Sequence, residues 1–582
     1  MTFEPTPTFN IDLPQRLSDF DCLCDALDYA AQGQTGMNFY SAKGELETIL
    51  PYADLRDKAL ERAKKLNSLG LEPFSRIGII AQMDEDFLIS FFACQYAGLY
   101  AVPLPVITGL GGKEGYQAQL RRILTKAETK AVIAPEIFSE HISIATQQIK
   151  LSFAGSSQDL DKLSSKELDE GSKLGPDDIS HIQFSSGSTR IPLGILISQK
   201  ALMANTASIC KDGLKITQND RGASWLPFYH DMGLIGFMIT PITCQVSIDY
   251  MNTDSFARRP LEWLKLISKN KCTLSYSPSF GYEICVRRAQ KQNLDIDLSH
   301  WRAAGIGGEM VQPQVMNKFY ETFKSSGYKK EAFVASYGLA ETTLAFSFAN
   351  LDTGIQTDCV SKETLSDNHI ASPVDKHDPE KTREFALCGK PLPGYELEIR
   401  DMNGSILPDR NVGFVYLKGP SHMAGYDDEK EATTNILSPD GWLNSGDMGY
   451  MIDGHLVITG RQKDLIIING RNIWPQDLEW YVEQNIETLK PRDTAAFALP
   501  SGEGGKERAA ILVHCRSQDP GIQQELKQKV HAAIFKNTGV DALVVLIQQG
   551  TLPYTTSGKL MRNRAKQNYL SGALPSIEKS AA

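Results

Sequence analysis

The pattern of apolar and polar positions predicts alternating helices and strands in the first part of the chain. Apolar residues recur every three or four positions over 55–69, and Gly70 follows as the expected helix stop. Short apolar runs at 76–80 and 100–103 predict strands, and an apolar helix over 87–97 lies between them. Strands that alternate with helices favour a parallel sheet covered by helices on both faces. The expected fold class is therefore α/β.

Two long uncharged stretches, 87–112 and 232–248, have to be weighed as membrane spans. Prolines and glycines interrupt the first, and Pro241 interrupts the shorter second, so both are expected to be buried elements of a globular protein. The second stretch is either plain core or the lining of a tunnel for an alkyl chain, which needs burial but no polar partners. The sequence leaves these two interpretations open.

Composition favours a globular cytoplasmic protein and argues against two kinds of partner. At ~150 residues a domain, the chain has room for about four domains. Hydrophobic residues make up 42% of the chain and the formal net charge is −10, which argues against a general binder of nucleic acid or anionic membranes. No signal peptide is evident, and ten cysteines without paired Cys-x-x-Cys spacing are expected to be reduced thiols. We expect a cytoplasmic protein with no nucleic-acid partner and no stable membrane insertion.

A loop rich in hydroxyl groups lies between two short strand-like runs, 182–184 and 195–197. Four hydroxyl side chains and one glycine make up the loop: Ser185, Ser186, Gly187, Ser188 and Thr189. Backbone N–H groups and hydroxyls in such a turn form a concavity that suits a phosphate group, although a plain Ser/Gly surface loop is the alternative. No Gly-Lys-Ser/Thr follows, so the loop is not that of a P-loop NTPase.

Three further segments carry side chains suited to a nucleotide or its partner substrate. The segment 336–343 offers Tyr337 as a flat face for a purine and Glu341 as a hard oxygen ligand for Mg²⁺ shared with phosphate. Asp447 lies between glycines, where it either accepts hydrogen bonds from vicinal hydroxyls or serves as an ordinary turn residue. His230 lies beside aromatic residues, and a core histidine is the alternative to a functional one.

Taken in order, these motifs resemble those of the adenylate-forming superfamily of acyl-CoA synthetases, luciferases and peptide-synthetase adenylation domains. The matching segments are Ser-Ser-Gly-Ser-Thr at 185–189, Leu-Pro-Phe-Tyr-His-Asp-Met-Gly-Leu at 226–234, Gly-Gly-Glu at 307–309, Tyr-Gly-Leu-Ala-Glu at 337–341, Ser-Gly-Asp at 445–447 and Thr-Thr-Ser-Gly-Lys at 555–559. Arg190 and Leu193 stand where the family usually has Gly and Lys. Together with Gly-Arg-Asn-Ile-Trp-Pro-Gln-Asp at 470–477 and an extra polar segment at 351–385, they resemble the fatty acyl-AMP ligase branch.

The resemblance implies a division of the chain into two domains. A large N-terminal domain would span 1–460, with two doubly wound α/β subdomains and a small β-rich subdomain. A hinge over 461–464, including Lys463, would lead to a smaller, mobile α+β C-terminal domain over 465–582. The segment 351–385, which lacks periodicity, would be an insertion that packs between the two domains.

The resemblance also implies roles for individual residues. Lys559 would be catalytic, and His230 would border the carboxylate end of the substrate. The phosphates of ATP would contact Ser185, Ser186, Gly187, Ser188, Thr189 and Thr342. Adenine and ribose would contact Gly307, Gly308, Glu309, Ser336, Tyr337, Gly338, Asp447 and Arg461. Glu341 would bind the metal, and the acyl pocket would include Phe228, Met232, Ile235, Ser277 and Phe280.

The implied reaction joins a medium- to long-chain fatty acid to AMP, with ATP and Mg²⁺ as cofactors and release of pyrophosphate. A carboxylate is ionised at neutral pH, so the protein's task is to offset repulsion between anions rather than to supply a base. The acyl group would then pass to the phosphopantetheine thiol of an acyl carrier protein, usually on a polyketide or peptide synthetase. A fatty acyl-CoA ligase and a catalytically degenerate nucleotide-binding protein remain as alternatives.

Overall fold

The structure, a computed structural model, describes most of the chain. The described residues are 4–107, 112–169, 171–184, 192–290, 294–375, 378, 380–468, 471–499, 508–555, 559–574 and 577. The hydroxyl loop predicted to bind phosphate, Ser185 to Thr189, and the neighbouring Arg190 lie outside these ranges.

Helices are spread along the whole chain. In the described ranges the α-helices are α1 Leu23–Ala30, α2 Tyr52–Asn67, α3 Glu85–Tyr96, α4 Gly112–Lys126, α5 Ser139–Thr146, α6 Ser157–Asp161, α7 Gln199–Ser208, α8 Thr240–Thr243, α9 Thr253–Arg258, α10 Leu261–Lys269, α11 Ser279–Ala289, α12 Pro313–Phe323, α13 Lys362–Asp367, α14 Lys430–Ile436, α15 Pro475–Asn485, α16 Pro520–Thr538 and α17 Arg562–Leu570. Two further segments, Ile209–Gly213 and Met232–Ile239, are π-helical.

Strands alternate with these helices. In the described ranges they are β1 Gly36–Tyr40, β2 Leu46–Pro51, β3 Arg76–Ile80, β4 Tyr100–Leu104, β5 Ala131–Ile133, β6 Phe153–Gly155, β7 Ile179–Phe184, β8 Gly194–Ser198, β9 Arg221–Ser224, β10 Ser247–Met251, β11 Leu274–Ser277, β12 Ala303–Ile306, β13 Phe333–Tyr337, β14 Ser347–Phe348, β15 Thr357–Ser361, β16 Thr382–Ala386, β17 Lys390–Pro391, β18 Glu396–Arg400, β19 Gly413–Lys418, β20 Gly425–Tyr426, β21 Leu443–Ile452, β22 His455–Arg461, β23 Ile466–Ile468, β24 Arg471–Ile473, β25 Thr494–Leu499, β26 Arg508–Cys515 and β27 Ala542–Gln548.

Two large sheets form the centre of the N-terminal part. One has the strand order β17-β14-β13-β12-β11-β9-β10-β1-β2, and the other has the order β20-β8-β7-β4-β3-β5-β6. The run from β13 to β1 and the run from β7 to β6 are parallel, which agrees with the predicted α/β class. Antiparallel strands complete the edges, among them β2, β8 and β14. The sequence pattern predicted the parallel centre and a strand at the position of β8, but neither the antiparallel pairing of β8 nor the strands β2 and β14.

The predicted elements of the first part form close to their expected positions. The strand predicted over 76–80 is β3, and the helix predicted over 55–69 is α2, after which Gly70 adopts a left-handed φ of +63°. Helix α3 forms over the predicted apolar run and begins at Glu85, where the Asp84 carboxylate accepts a hydrogen bond from the Phe87 N–H at 3.0 Å and caps the helix.

The two long uncharged stretches form buried elements. Helix α3 and strand β4 occupy the described part of the first. The second consists of the π-helical segment Met232–Ile239, helix α8 and the start of β10. Within the described ranges, no helix combines the length and the apolar character needed to cross a membrane.

The C-terminal part has its own core and its own sheet. Strands β25, β26 and β27 form a three-stranded sheet in which β25–β26 is antiparallel and β26–β27 is parallel. Its buried apolar residues form two clusters whose members all lie between Ile466 and Ile577. Between this part and the large sheets lies an antiparallel sheet of order β18-β19-β21-β22. Mixed α/β architecture with a small β-rich unit and an α+β C-terminal part agrees with the predicted fold class.

The segment 351–385, which has no periodicity in its sequence, nevertheless contains regular structure. Strands β15 and β16 pair antiparallel and helix α13 follows β15 directly. Val360, Leu365 and Phe385 are buried. Each element has only five or six residues, too few for a repeating apolar pattern to stand out in a window of 11–18 residues.

A buried ion pair connects β9 and β10 in the larger sheet. The Arg221 guanidinium donates Nε to Asp249 Oδ2 at 2.7 Å and Nη2 to Asp249 Oδ1 at 2.6 Å. Asn38 and Asn270 donate further hydrogen bonds to the same carboxylate, and Arg221 Nη1 donates to the Thr6 carbonyl. Because both charges are fully hydrogen-bonded but removed from water, losing one of them leaves the other without compensation.

We expect Asp249→Ala to lower the free energy of unfolding of the N-terminal part by about 3–5 kcal/mol, because the Arg221 charge stays buried without its partner. The measurement is the first transition in a urea titration. Glu321→Ala is the control, since Glu321 pairs with Lys324 at an exposed site and its loss should cost about 1 kcal/mol or less. Equal shifts in the two variants would contradict the prediction.

Candidate active site

One cavity of about 820 Å³ lies between the large sheets and the C-terminal part and gathers most of the predicted motif residues. The predicted residues that line it are His230, Met232, Phe280, Gly307, Gly308, Glu309, Ser336, Tyr337, Gly338, Glu341, Asp447, Arg461, Lys463 and Lys559. They come from segments more than 300 positions apart in the chain. The fold therefore brings motifs that are far apart in the sequence together at one cavity.

Lys559 reaches the cavity from a tight turn of the C-terminal part. The Thr555 N–H donates to the Lys559 carbonyl at 2.7 Å, and the Lys559 N–H donates to Thr555 Oγ1 at 2.9 Å. The Lys559 side chain lies against Gly308, where a Cβ would be 3.9 Å from Lys559 Cε. Gly308 also has a left-handed φ of +79°, which a side chain would disfavour. The lysine turn is thus closed over the Gly-Gly-Glu segment.

Opposing charges surround the Lys559 ammonium. Burial lowers the Lys559 pKa, and the carboxylate of Asp231 is the strongest influence in the other direction. Arg461 lowers the pKa further, whereas Glu309 and Asp447 raise it. A partly desolvated cation of this kind gains stabilisation from an added anion such as a phosphate group.

His230 and Asp231 form a hydrogen-bonded pair at the cavity wall. His230 Nδ1 lies 2.7 Å from Asp231 Oδ1, and because an ionised carboxylate can only accept, the ring nitrogen donates. Asp231 also accepts the Met232 N–H at 2.7 Å. Burial alone would raise the Asp231 pKa, but His230 and then Lys559 outweigh it and hold the pKa at about 2. Asp231 therefore stays ionised and fixes the orientation of His230.

A second polar group joins Tyr337, Asp447 and Arg461. Asp447 and Arg461 are opposite each other in the β21–β22 pair, and Arg461 Nε donates to Asp447 Oδ1 at 3.0 Å. The Tyr337 hydroxyl donates to Asp447 Oδ2 at 2.8 Å. Burial, reinforced by Asp447, raises the Tyr337 pKa, so the phenol stays protonated. Each carboxylate oxygen keeps free acceptor capacity for a further donor, such as a vicinal hydroxyl.

The backbone near Gly338, the residue after Tyr337, leaves no room for a side chain at this position. A Cβ at Gly338 would lie 1.8 Å from the Leu344 carbonyl oxygen, a distance that no side chain could adopt. Gly307 is less restricted, because a Cβ there would lie 3.0 Å from Ser336 Oγ. These glycines hold the segments after β12 and β13 close together.

Glu341 and Thr342 are placed differently from each other. Glu341 lines the cavity and its Oε1 accepts the Tyr426 hydroxyl at 2.8 Å. Burial and then Glu341 raise the Tyr426 pKa. Thr342 is fully buried behind the lining, and its hydroxyl donates to the Leu339 carbonyl at 3.0 Å. A phosphate contact by Thr342 stays a prediction.

Only some of the predicted acyl-pocket residues line the cavity. Met232 and Phe280 line the cavity, whereas Phe228, Ile235 and Ser277 are buried outside its lining. Phe228 stacks on Phe87, and the Ser277 hydroxyl donates to the Pro278 carbonyl. The apolar part of the lining, called the apolar arm here, includes Ile209, Leu214, Phe237, Tyr276, Leu344 and Phe348. Phe237 lies in the stretch weighed as a tunnel lining and Tyr276 precedes Ser277, whereas sequence reasoning missed the other four residues.

The π-helical segment shows how the stretch 232–248 relates to the two interpretations, plain core and the lining of a tunnel. Met232, Gly236 and Phe237 line the cavity, whereas Leu234 and Ile239 are fully buried away from it. One stretch therefore supplies both core and cavity wall. The uncharged run was the available signal, but the residues that face the cavity follow from the π-helical geometry, which a 3.6-residue period does not describe.

Comparison with known proteins agrees with this geometry. The family model described as AMP-binding enzyme matches residues 30–427, about two thirds of the chain. The chain belongs to this AMP-binding enzyme family. A Caulobacter vibrioides protein named "Putative acyl-CoA synthetase" is 45% identical to this AMP-binding enzyme over 97% of the chain and 98% of its own length.

Two further relatives narrow the branch of the family. The medium-chain-fatty-acid–acyl-carrier-protein ligase JamA of Moorena producens is 30% identical over 96% of this chain and 97% of its own length. A solved structure from work on fatty acyl-adenylate ligases of E. coli and L. pneumophila has a TM-score of 0.91 and 39% identity, and covers 96% of this chain and 100% of its own. Membership of the adenylate-forming superfamily, in its fatty acyl-AMP ligase branch, is confirmed.

We expect Lys559→Ala to lower the rate of adenylate formation by this AMP-binding enzyme roughly 10²–10³-fold, the size found for removing one preorganised electrostatic contact. Pyrophosphate release measures the rate, and circular dichroism checks the fold. Lys529→Ala is the matched control, because Lys529 is exposed in α16 of the same C-terminal part and pairs with Glu525. A rate within threefold of wild type in the Lys559 variant would remove this lysine from the mechanism.

Proposed function

We propose that this enzyme activates a medium- to long-chain fatty acid as its acyl-adenylate and then transfers the acyl group to the phosphopantetheine thiol of an acyl carrier protein. The observation that carries the first step is the joining of two environments in one cavity. An apolar arm, lined by residues such as Phe237 and Phe348, meets a polar region that contains Lys559, Glu341 and Asp447. An alkyl chain fits the first environment, and a nucleotide with its metal fits the second.

ATP would bind in the polar region. Tyr337 and Gly338 offer a flat surface for adenine, and Asp447 with Arg461 offers acceptor and donor groups for the ribose. The hydroxyl loop Ser185–Thr189 is the proposed contact for the phosphates. Because Asp447 is already oriented by two hydrogen bonds, ribose binding would need little rearrangement.

The residues present fit Mg²⁺, which supplies positive charge that neutralises phosphate oxygens when bound. Mg²⁺ is usually held by one or two carboxylates together with substrate phosphates rather than by a cage of protein ligands. Glu341 offers one such carboxylate at the cavity wall, with Oε1 oriented by Tyr426. Among the described residues there is no cluster of three or more side chains typical of a dedicated metal site.

In the first step a carboxylate oxygen of the fatty acid bonds to the α-phosphorus, and the bond from that phosphorus to pyrophosphate breaks. The carboxylate needs no general base, since it is ionised at neutral pH. Lys559 offsets the repulsion between the two anions, and the His230–Asp231 pair borders the carboxylate end of the apolar arm. Alignment and charge compensation are the protein's contribution.

We infer that the chain divides at a hinge over 461–464, between a large domain over 1–460 and a small domain over 465–582. Lys463 lies in the short 3-10 turn Gln462–Asp464, and Arg562 of the small domain binds Asp464 at 3.1 Å. Rotation about this hinge would withdraw Lys559 and open the adenylate to a thiol. The insertion 351–385 would bias that rotation.

Several contacts support a role for the insertion at the domain boundary. The buried Arg383 of β16 lies 2.9 Å from Asp477 of α15, and the exposed Glu380 pairs with Lys536 of α16. Val360, Leu365 and Phe385 share an apolar cluster with Trp474 of the small domain. These contacts stabilise the closed arrangement, in which an adenylate would be shielded from free CoA.

An acyl-CoA ligase is the second candidate, favoured by the name of the Caulobacter vibrioides relative. The two candidates share the first step and differ in the thiol acceptor. The name of JamA favours the carrier-protein assignment.

We expect the enzyme to release pyrophosphate only when both ATP and a fatty acid are present, and to transfer the acyl group to a holo acyl carrier protein in preference to CoA. Radiolabelled fatty acid, followed into the protein-bound thioester and into acyl-CoA, measures both products. Apo carrier protein without the thiol is the control. Efficient acyl-CoA formation would support the second candidate, and no pyrophosphate release with any fatty acid would refute both.

We expect the double variant Arg383→Met and Asp477→Asn to raise acyl-CoA formed per adenylate about tenfold for each ~1.4 kcal/mol of bias removed. Neutralising both partners avoids leaving one buried charge alone. Lys536→Ala is the control, since it removes only the exposed contact to the same insertion. Normal adenylation with unchanged acyl-CoA yield would show that this ion pair is not the barrier.

A further inference from the structure

We propose that Arg492 is a positioning residue for the first half-reaction: it bridges Phe280 of the large domain and Tyr554 beside the lysine turn, and so holds Lys559 over the site. The inference rests on the proposed function for its substrate and its domain boundary. Arg492 lies in the turn before β25 and lines the cavity. No motif in the sequence pointed to it.

The guanidinium of Arg492 contacts aromatic rings on both sides of the domain boundary. Its Cζ lies 4.8 Å from the centre of the Phe280 ring and 4.4 Å from the centre of the Tyr554 ring. Both distances are within the range of about 6 Å for cation–π attraction. A planar guanidinium can stack on two rings at once, which a lysine ammonium cannot do with the same geometry.

Each ring is connected to a part of the active site. The Phe280 N–H donates to Glu309 Oε1 at 3.1 Å, and Glu309 ends the Gly-Gly-Glu segment against which Lys559 lies. Tyr554 pairs with Leu560 across the turn that carries Lys559, and its hydroxyl donates to the Arg492 carbonyl. Arg492 thus contacts Phe280, which hydrogen-bonds to Glu309 of the large domain, and Tyr554, which lies beside the turn of Lys559.

The backbone of Arg492 is held in an uncommon conformation. Its φ of +70° is left-handed, which costs a residue with a Cβ and occurs where surrounding contacts fix it. The Tyr554 hydroxyl bond to the Arg492 carbonyl is one such contact. The conformation is fixed from within the small domain, so the side chain is presented to Phe280 as part of a preformed surface.

Charge gives Arg492 a second reason to face the large domain. Burial raises the Glu309 pKa, and Arg492 is the strongest influence that lowers it again, ahead of Lys559. When the Lys559 ammonium binds a phosphate group, Arg492 still offsets the negative charge of the Glu309 carboxylate. Glu309 therefore interacts with both cations of the small domain in the closed arrangement, and more strongly with Arg492.

The geometry makes the role specific to one half-reaction. The Arg492–Tyr554 contact lies within the small domain and persists when that domain rotates. The Arg492–Phe280 contact crosses the boundary and is lost. Removing Arg492 should weaken only the arrangement that forms the adenylate, because the thiol-transfer arrangement does not use the bridge.

The test compares Arg492→Ala, Arg492→Lys and Lys490→Ala in two assays. Lys490 is an exposed residue of the same turn that does not line the cavity, and its variant should behave as wild type. We expect Arg492→Ala to lower single-turnover pyrophosphate release about tenfold at saturating ATP and fatty acid, the scale of lost cation–π contacts at a desolvated site. Transfer from supplied acyl-adenylate to holo acyl carrier protein should stay within about twofold of wild type. Arg492→Lys should recover only part of the lost rate.

A substrate-independent measurement keeps the inference testable if the acyl substrate is misassigned. Hydrogen exchange at the Thr555 and Lys559 amides, which hydrogen-bond within the lysine turn, should speed up in Arg492→Ala and stay unchanged in Lys490→Ala. Wild-type enzyme that releases no pyrophosphate with any fatty acid would refute the proposed function, while the exchange result would still decide the bridge.

Four results would overturn the role of Arg492. Adenylation at the wild-type rate in Arg492→Ala would show that the bridge is not needed. Equal losses in both half-reactions would indicate a general structural role. Full recovery in Arg492→Lys would show that charge alone suffices, and unchanged exchange at Thr555 and Lys559 would show that the lysine turn is positioned by other contacts.

Discussion

The active site depends on keeping one ammonium group, that of Lys559, partly desolvated beside Gly308 in the closed arrangement. Burial lowers its pKa, and the carboxylates of Asp231, Glu309 and Asp447 act against that effect. A cation in this position is most stable when a further anion enters. The site is therefore already arranged for a polyphosphate, and the cost of orienting its charges is met during folding rather than during the reaction.

Each carboxylate around Lys559 is hydrogen-bonded to a donor of its own and is not bound to the ammonium group alone. Asp231 is held by His230, and Asp447 is held by Arg461 and Tyr337. Glu309 is held by the Phe280 N–H and faces Arg492. Because each carboxylate has its own donor, none of them has to be displaced from Lys559 before a nucleotide can bind.

The sequence predicted the parts of the fold and the site that depend on local pattern. Helix α2 and strand β3 follow from apolar periodicity, and Glu341, Asp447 and Lys559 lie in motifs that line the cavity as expected. The misplaced acyl-pocket residues have a physical cause. Ile235 and Phe237 belong to the same apolar run, and only the π-helical turn determines that Phe237 faces the cavity while Ile235 is core.

Two kinds of feature left no local signal. The edge strand β14 and the elements of the insertion are too short for an apolar pattern to stand out, and the Arg492 bridge depends on a partner far away in the chain. Arg492 is a particular case, because a charged residue in a polar turn is ordinarily solvent-exposed. Only the fold shows that Phe280, more than 200 positions earlier, covers its guanidinium.

The contacts that cross the proposed domain boundary are of a kind that permits reversible motion. They include exposed ion pairs such as Lys536–Glu380, each worth about 1 kcal/mol or less, and one cation–π bridge of about 0.5–2 kcal/mol. The buried Arg383–Asp477 pair and the packing of Trp474 add to the closed arrangement. Exposed ion pairs and cation–π contacts of this size shift a two-state ratio by one or two powers of ten. The carrier protein of the proposed function could reverse the bias if its binding to the rotated arrangement outweighs all of these contacts. Free CoA, which offers fewer contacts than a folded partner, would find the same bias harder to overcome.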